Sequence, residues 1–148
     1  MKSSVTAFLE EHLLTASIVQ VLLGCIKPRA NESQSRLDKK LAIFRTKSQG
    51  SAVFDIKKQC QSSTGWLHSI EELQAIKKSA LPTAFIDAMM ATIKSIYEEA
   101  GSDVVLGADD LTPILCYVVA QCGIPQLYLK LEMTSRLCGD SISMGETG

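Results

Sequence analysis

The sequence predicts an all-α fold, a layered bundle of about six helices, on three observations. Apolar residues recur at intervals of three and four through most of the chain, glycine or proline punctuates those periodic runs, and no stretch alternates with a period of two. With 148 residues and 46% hydrophobic content, the chain is long enough for one domain with a real core.

Val5, Phe8, Leu9, Leu13, Ala16, Val19 and Leu23 fall at helical intervals and predict a first helix that stops near Gly24, with Pro28 just beyond. Residues 29–35 turn polar. Leu37, Leu41 and Phe44 then predict a second helix with Asp38, Lys39 and Lys40 on its wet side, broken by Ser48, Gln49, Gly50 and Ser51. A short third helix is expected over residues 52–60, followed by a loop at Gln61-Ser62-Ser63-Thr64-Gly65. Ser69 with Glu72 makes a capping-box pattern that opens a helix through Leu73, Ile76 and Ala80, before Pro82 ends it or starts the next. Phe85, Ile86, Met89, Met90, Ile93, Ile96 and Tyr97 describe a long amphipathic helix finishing near Gly101, with the methionines as core filler. Leu111, Ile114, Leu115, Val118, Val119 and Cys122 form the best-patterned stripe, ended by Gly123. Pro125 is expected in the first turn of a last helix through Leu127, Leu131 and Leu137.

Bulk properties narrow the function classes. A net charge of −1 and a pI near 6.1 argue against the basic face that nucleic acid requires. Five cysteines without C-x-x-C spacing fit reduced, mostly buried thiols in a cytosolic protein, and His12 and His68 have no second ligand at a recognisable spacing, so no metal site is expected. His12 reads as the polar edge of a helix face. The apolar run over residues 13–26 is shorter than the ~20 residues of a membrane span and is interrupted by Thr15, Ser17 and Gln20. Glu10 and Glu11 break the order that a signal peptide needs. Without a Gly-rich phosphate loop, an activated nucleophile or a metal cluster, neither a small-molecule substrate nor a resident cofactor is expected. Lys39-Lys40 and Lys77-Lys78 read as solvated helix faces.

Chemistry concentrates at Gly107-Ala108-Asp109-Asp110-Leu111-Thr112-Pro113, two carboxylates and a proline at the mouth of that best-patterned helix. Asp109 reads either as an N-cap, worth about 0.5–2 kcal/mol, or as a carboxylate presented to a partner. Asp110 suits the positive end of the helix dipole. Tyr117 reads as packing.

The run Leu106-Gly107-Ala108-Asp109-Asp110-Leu111-Thr112-Pro113-Ile114-Leu115-Cys116-Tyr117-Val118-Val119, with Pro125 and the closing Gly145-Glu146-Thr147-Gly148, resembles the Vps-nine domain, a family of guanine-nucleotide exchange factors for Rab-five-type endosomal GTPases. Tyr117-Val118-Val119-Ala120-Gln121-Cys122 is most similar to the Ras-and-Rab interactor branch. The resemblance is specific from about residue 95 onward and implies a Vps-nine-like core over residues 81–148, with residues 1–80 in the place of the family's supporting helices. It puts Asp109 on the catalytic aspartate and Pro113 on the family proline one turn later. Pro113 is thereby expected to contact the GTPase; Asp110, Tyr128 and Met133 are further GTPase-binding candidates that the resemblance does not itself carry over, with the helix dipole as the alternative reading for Asp110 and packing for Tyr128 and Met133. Thr112 departs from the usual apolar residue, and the region around Gly139-Asp140-Ser141 departs from the commoner Pro-containing loop.

The resemblance implies a regulatory exchange factor without covalent chemistry, whose partner is a Rab-five-type small GTPase. It has no cofactor of its own, because magnesium belongs to the GTPase's nucleotide. It further implies a cytoplasmic protein, peripheral to early endosomes, with contact to the endosomal membrane. The family pattern continues with a Tyr-Tyr-x-Thr run that would follow Gly148, so the chain is expected to be a C-terminally truncated form lacking the final helix. The alternative is a non-catalytic GTPase-binding or adaptor fragment.

Overall fold

The computed structural model describes residues 16–78 and 81–145, in which five α-helices and two short 3₁₀ turns occur and no strand is found. The expected all-α class is the observed one, with one helix fewer than the approximate six among the described residues.

The first helix, α1 (Ala16–Arg45), runs straight through the expected break at Gly24 and carries Pro28 inside it. Proline removes one intrahelical hydrogen bond, the one whose acceptor would be the Gly24 carbonyl. Packing on the C-terminal side of Pro28 carries the helix across that defect: Ala30, Gln34 and Leu41 are buried and Leu37 and Phe44 half-buried, at alternating spacings of four and three. The polar stretch at 29–35 is therefore helix, and Asp38, Lys39 and Lys40 lie exposed as expected. His12 and the first half of the predicted first helix lie outside the described residues.

Residues 46–66 form a strap. The helix expected over 52–60 is absent, because Asp55 takes a left-handed φ of 56° and only the 3₁₀ turn Lys58–Cys60 forms. Instead of a helical stripe, Phe54, Ile56 and Cys60 point inward as separate pegs, each less than 9% exposed. Phe54 sits edge-on between Phe44 and Tyr117, with ring centroids 5.9 and 5.2 Å away. The Gln49 amide closes the strap: its oxygen accepts from Ser62 N (3.0 Å) and Trp66 Nε1 (2.9 Å), while its nitrogen donates to the Ser62 carbonyl (2.7 Å).

Helix α2 (Leu67–Gln74) starts earlier than the Ser69–Glu72 pattern predicts and passes into the 3₁₀ turn Ala75–Lys78. Its N-cap is Trp66, fully buried, at φ 64° and without a side-chain cap. Ser69 is inside the first turn, and the capping carboxylate is Glu99 from α3 (Pro82–Ala100), which accepts from Ser69 N (2.9 Å), His68 N (3.3 Å), Thr64 Oγ1 (2.8 Å) and the Ser69 hydroxyl. Helix α3 keeps its predicted limits, with Gly101 at φ 85° after its last residue. The methionines depart from expectation: Met89 is half-buried and Met90 is 62% exposed, because Thr92, Ser95 and Ile96 take the inner face.

Helix α4 (Ala108–Cys122) is the central element, packed against α1, α2 and α3, with Ile114, Val118 and Ala120 fully buried. Gly123, at φ 63°, ends it where Arg45 crosses, and a Cβ there would fall 2.7 Å from the guanidinium. Arg45 Nε donates to the Ala120 carbonyl (3.3 Å), and Gln121 returns its amide to the carbonyls of Arg45 (3.2 Å) and Lys47 (3.3 Å). Helix α5 (Leu127–Gly145) begins two residues after Pro125, behind Gln126 at φ 54°, so the proline lies outside its first turn. Gln34 accepts from the free Leu129 N–H at that start (3.3 Å).

Candidate functional site: the acidic mouth of α4

Gly107 is the N-cap of α4, which makes Ala108, Asp109 and Asp110 its first three residues. Asp109 is therefore not the N-cap. The capping role falls to Asp110, whose Oδ2 accepts the Gly107 N–H at 3.1 Å, the reciprocal half of a capping box. Its Oδ1 lies 2.6 Å from Lys57 Nζ, and its side chain is only 14% exposed. The Lys57 ammonium, then the Gly107 N–H, hold the Asp110 carboxyl below its ordinary value of 3.8, and Asp110 in turn raises the lysine.

Asp109 is left exposed and forms no hydrogen bond or ion pair among the described residues. Pro113 falls in the second turn, one turn after Asp109. It has no N–H to offer the carbonyl four residues back, which is that of Asp109, so that carbonyl lacks its α-helical donor while the helix continues through it. The strap and the helix mouth together enclose a cleft of about 320 Å³, lined by Asp55, Ile56, Lys57, Cys60, Asp109, Asp110 and Pro113.

The structure thus brings together three of the residues singled out in the sequence, Asp109, Asp110 and Pro113. Tyr128 and Met133 do not line this cleft. Tyr128 is half-buried on α5, and Met133 is only 2% exposed, so in this conformation its side chain offers a partner no surface. Lys57 escaped the sequence reading: one of two adjacent lysines, Lys57 and Lys58, between Ile56 and Cys60, it carries no signal until the strap folds back on α4. No cluster of three or more His, Cys, Asp or Glu suited to a metal occurs among the described residues. Cys60 and Cys122 are buried but Cys25 and Cys116 are exposed, so the four described thiols are free and only half of them are buried. No helix of the described residues is long and apolar enough to cross a membrane.

The mouth of α4 in this all-α domain thus holds one carboxylate in internal contacts and offers its neighbour to solvent over a small acidic cleft. The family model of the Vacuolar sorting protein 9 (VPS9) domain matches residues 66–148, from the buried Trp66 onward. The chain belongs to the VPS9 domain family. It is similar to Ras and Rab interactor 1 of Homo sapiens, 27% identical over 154 residues that cover 93% of this chain and 19% of the relative. It is likewise similar to Ras and Rab interactor 1 of Mus musculus, 28% identical over 80% of this chain and 16% of the relative. Ras and Rab interactor 2 of Homo sapiens is 32% identical over 52% of this chain and 9% of its own length. The chain thus spans less than a fifth of these relatives' length. No solved structure matches it.

Proposed function

We propose that this chain promotes GDP release from a Rab-five-type small GTPase, acting as a guanine-nucleotide exchange factor in endocytic membrane traffic. The observation that carries the reading is the exposed, unpartnered carboxylate of Asp109 beside a neighbour whose carboxylate is fully engaged. Family membership and the similarity to Ras and Rab interactors support the same partner class.

A small GTPase retains GDP through a phosphate-binding loop, its lysine and a magnesium ion. Nanomolar to picomolar retention corresponds to about 12–16 kcal/mol, so a catalyst must supply contacts that form as the nucleotide leaves. A carboxylate is the simplest replacement for a departing phosphate. In this reading Asp109 approaches the loop lysine and magnesium position, competing with the β-phosphate, and no covalent step is involved. Asp110 holds the helix mouth in register and Pro113 forms part of the docking wall. Tyr128 and Met133 act through α5, the first at its half-exposed surface and the second by packing beneath it. Residues 1–80 serve as the supporting helical segment, and the site of action is cytoplasmic, at the periphery of early endosomes.

The test is release of a fluorescent GDP analogue from a Rab-five-type GTPase, with the native chain and with Asp109→Ala. Acceleration that is lost in the variant is the expected result. Binding without acceleration would make the chain a non-catalytic GTPase-binding module, and no binding would sink both readings.

A further inference from the structure

Lys57 lies outside the stretch that matches the family, yet it supplies the positive charge of the cleft. Three carboxylates, Asp55, Asp109 and Asp110, and one ammonium line that space, for a net charge of −2. The ammonium's tether is fixed: buried Ile56 and Cys60 flank it at 8% and 6% exposure, and Cys60 N donates to the Lys57 carbonyl at 2.8 Å. Its side chain is 57% exposed, so the head group is free to be displaced.

We propose that Lys57 is a built-in counter-ion that restrains capture of a positively charged GTPase surface by the acidic mouth, and so sets the docking rate. The geometry separates this role from a positioning one. Asp110 meets the Gly107 N–H through Oδ2 and Lys57 through Oδ1, so the bond that holds the helix mouth does not use the ammonium. What changes is the field: without the ammonium the three lining carboxylates bring the net charge to −3. Charge at a docking surface acts chiefly on the association rate and is screened by salt.

This inference rests on the exchange reading, and its test has one arm that does not. In the exchange assay Lys57→Gln is expected to raise kcat/KM by roughly threefold to tenfold at low salt, through KM, with the gain shrinking as ionic strength rises. Lys57→Arg, which keeps the charge, should behave as the native chain. A fall in kcat at constant KM, a gain indifferent to salt, or no change would overturn the proposal. In the second arm, hexaamminecobalt(III) is titrated into the native chain and Lys57→Gln while the Asp109 carboxyl is followed by NMR. Tighter binding of this cation by the variant is expected, and equal binding overturns the counter-ion role. If neither chain accelerates GDP release while the variant still takes up the cation more tightly, the exchange reading alone has failed.

Discussion

Two helix mouths in this molecule are capped by carboxylates, and they are built in opposite ways. At α2 the carboxylate comes from another helix: Glu99 of α3 gathers two backbone N–H groups and two hydroxyls, leaving little acceptor capacity. At α4 the carboxylates come from the helix itself, one spent on Gly107 and Lys57 and the other, Asp109, unspent. A carboxylate saturated with donors fixes structure, whereas one held rigidly with no donors is available to a partner. The difference is in the neighbours: Thr64 and Ser69 crowd Glu99, while Asp109 faces an open cleft.

The sharpest way to break the comparison is to remove each carboxylate in turn. Asp109→Ala is expected to lower the exchange rate by about a hundredfold, the scale of losing one electrostatic contact made as the nucleotide departs, while the thermal midpoint stays near that of the native chain. Stopped-flow release and a circular-dichroism melt read the two quantities separately. Glu99→Ala is expected to do the reverse. It strands the N–H groups of His68 and Ser69 and destabilises the fold by about 2 kcal/mol in urea denaturation, with exchange by the folded fraction unchanged. A Glu99 variant that is stable but inactive would erase the distinction.

Acidification sharpens the same contrast with a smaller effect. Burial pushes the Glu99 carboxyl up, but the hydrogen bonds from Ser69, Thr64 and His68 outweigh it and hold the group below its ordinary 4.5. A group whose folded pKa is depressed contributes stability that is complete above its unfolded value and is lost as pH falls through the folded one. The urea midpoint of the native chain should therefore decline on acidification below about pH 4.5, and Glu99→Gln should flatten that decline. Asp110, held below its ordinary 3.8 by Lys57 and then Gly107, likewise contributes stability that is complete above that value and is lost as pH falls through its folded pKa.

How much of this was legible in the sequence depended on whether local signals and tertiary packing agreed. The limits of α3 and α4 could be read because Pro82, Gly101 and Gly123 punctuate them and nothing in the packing opposes those signals. At Pro28 they disagreed, and the buried stripe Ala30-Gln34-Leu41 carried the helix past a residue that usually ends one. Ser69 offered a local capping pattern, but Glu99, thirty residues away, took its hydroxyl, and the N-cap is Trp66, three residues earlier. The site divided in the same manner. Asp109, Asp110 and Pro113 sit together in sequence and were visible, while Lys57 is brought to them only by the pegs Phe54, Ile56 and Cys60, whose spacing matches no regular element.

The finest test of the two mouths is Asp110→Asn, which alters charge and leaves shape. The asparagine oxygen can still accept the Gly107 N–H, so the first turn of α4 should hold and the melt should barely move. Lys57 loses its ion-pair partner and the lining of the cleft falls to two carboxylates against one ammonium, a net charge of −1. If Asp109 works in a field that Lys57 and Asp110 tune, exchange should fall by roughly two- to threefold at low salt and recover toward the native rate as salt is raised. That is the opposite direction from Lys57→Gln. A loss that persists at high salt would instead make Asp110 a direct contact of the GTPase, and the acidic mouth would then present both carboxylates to its partner.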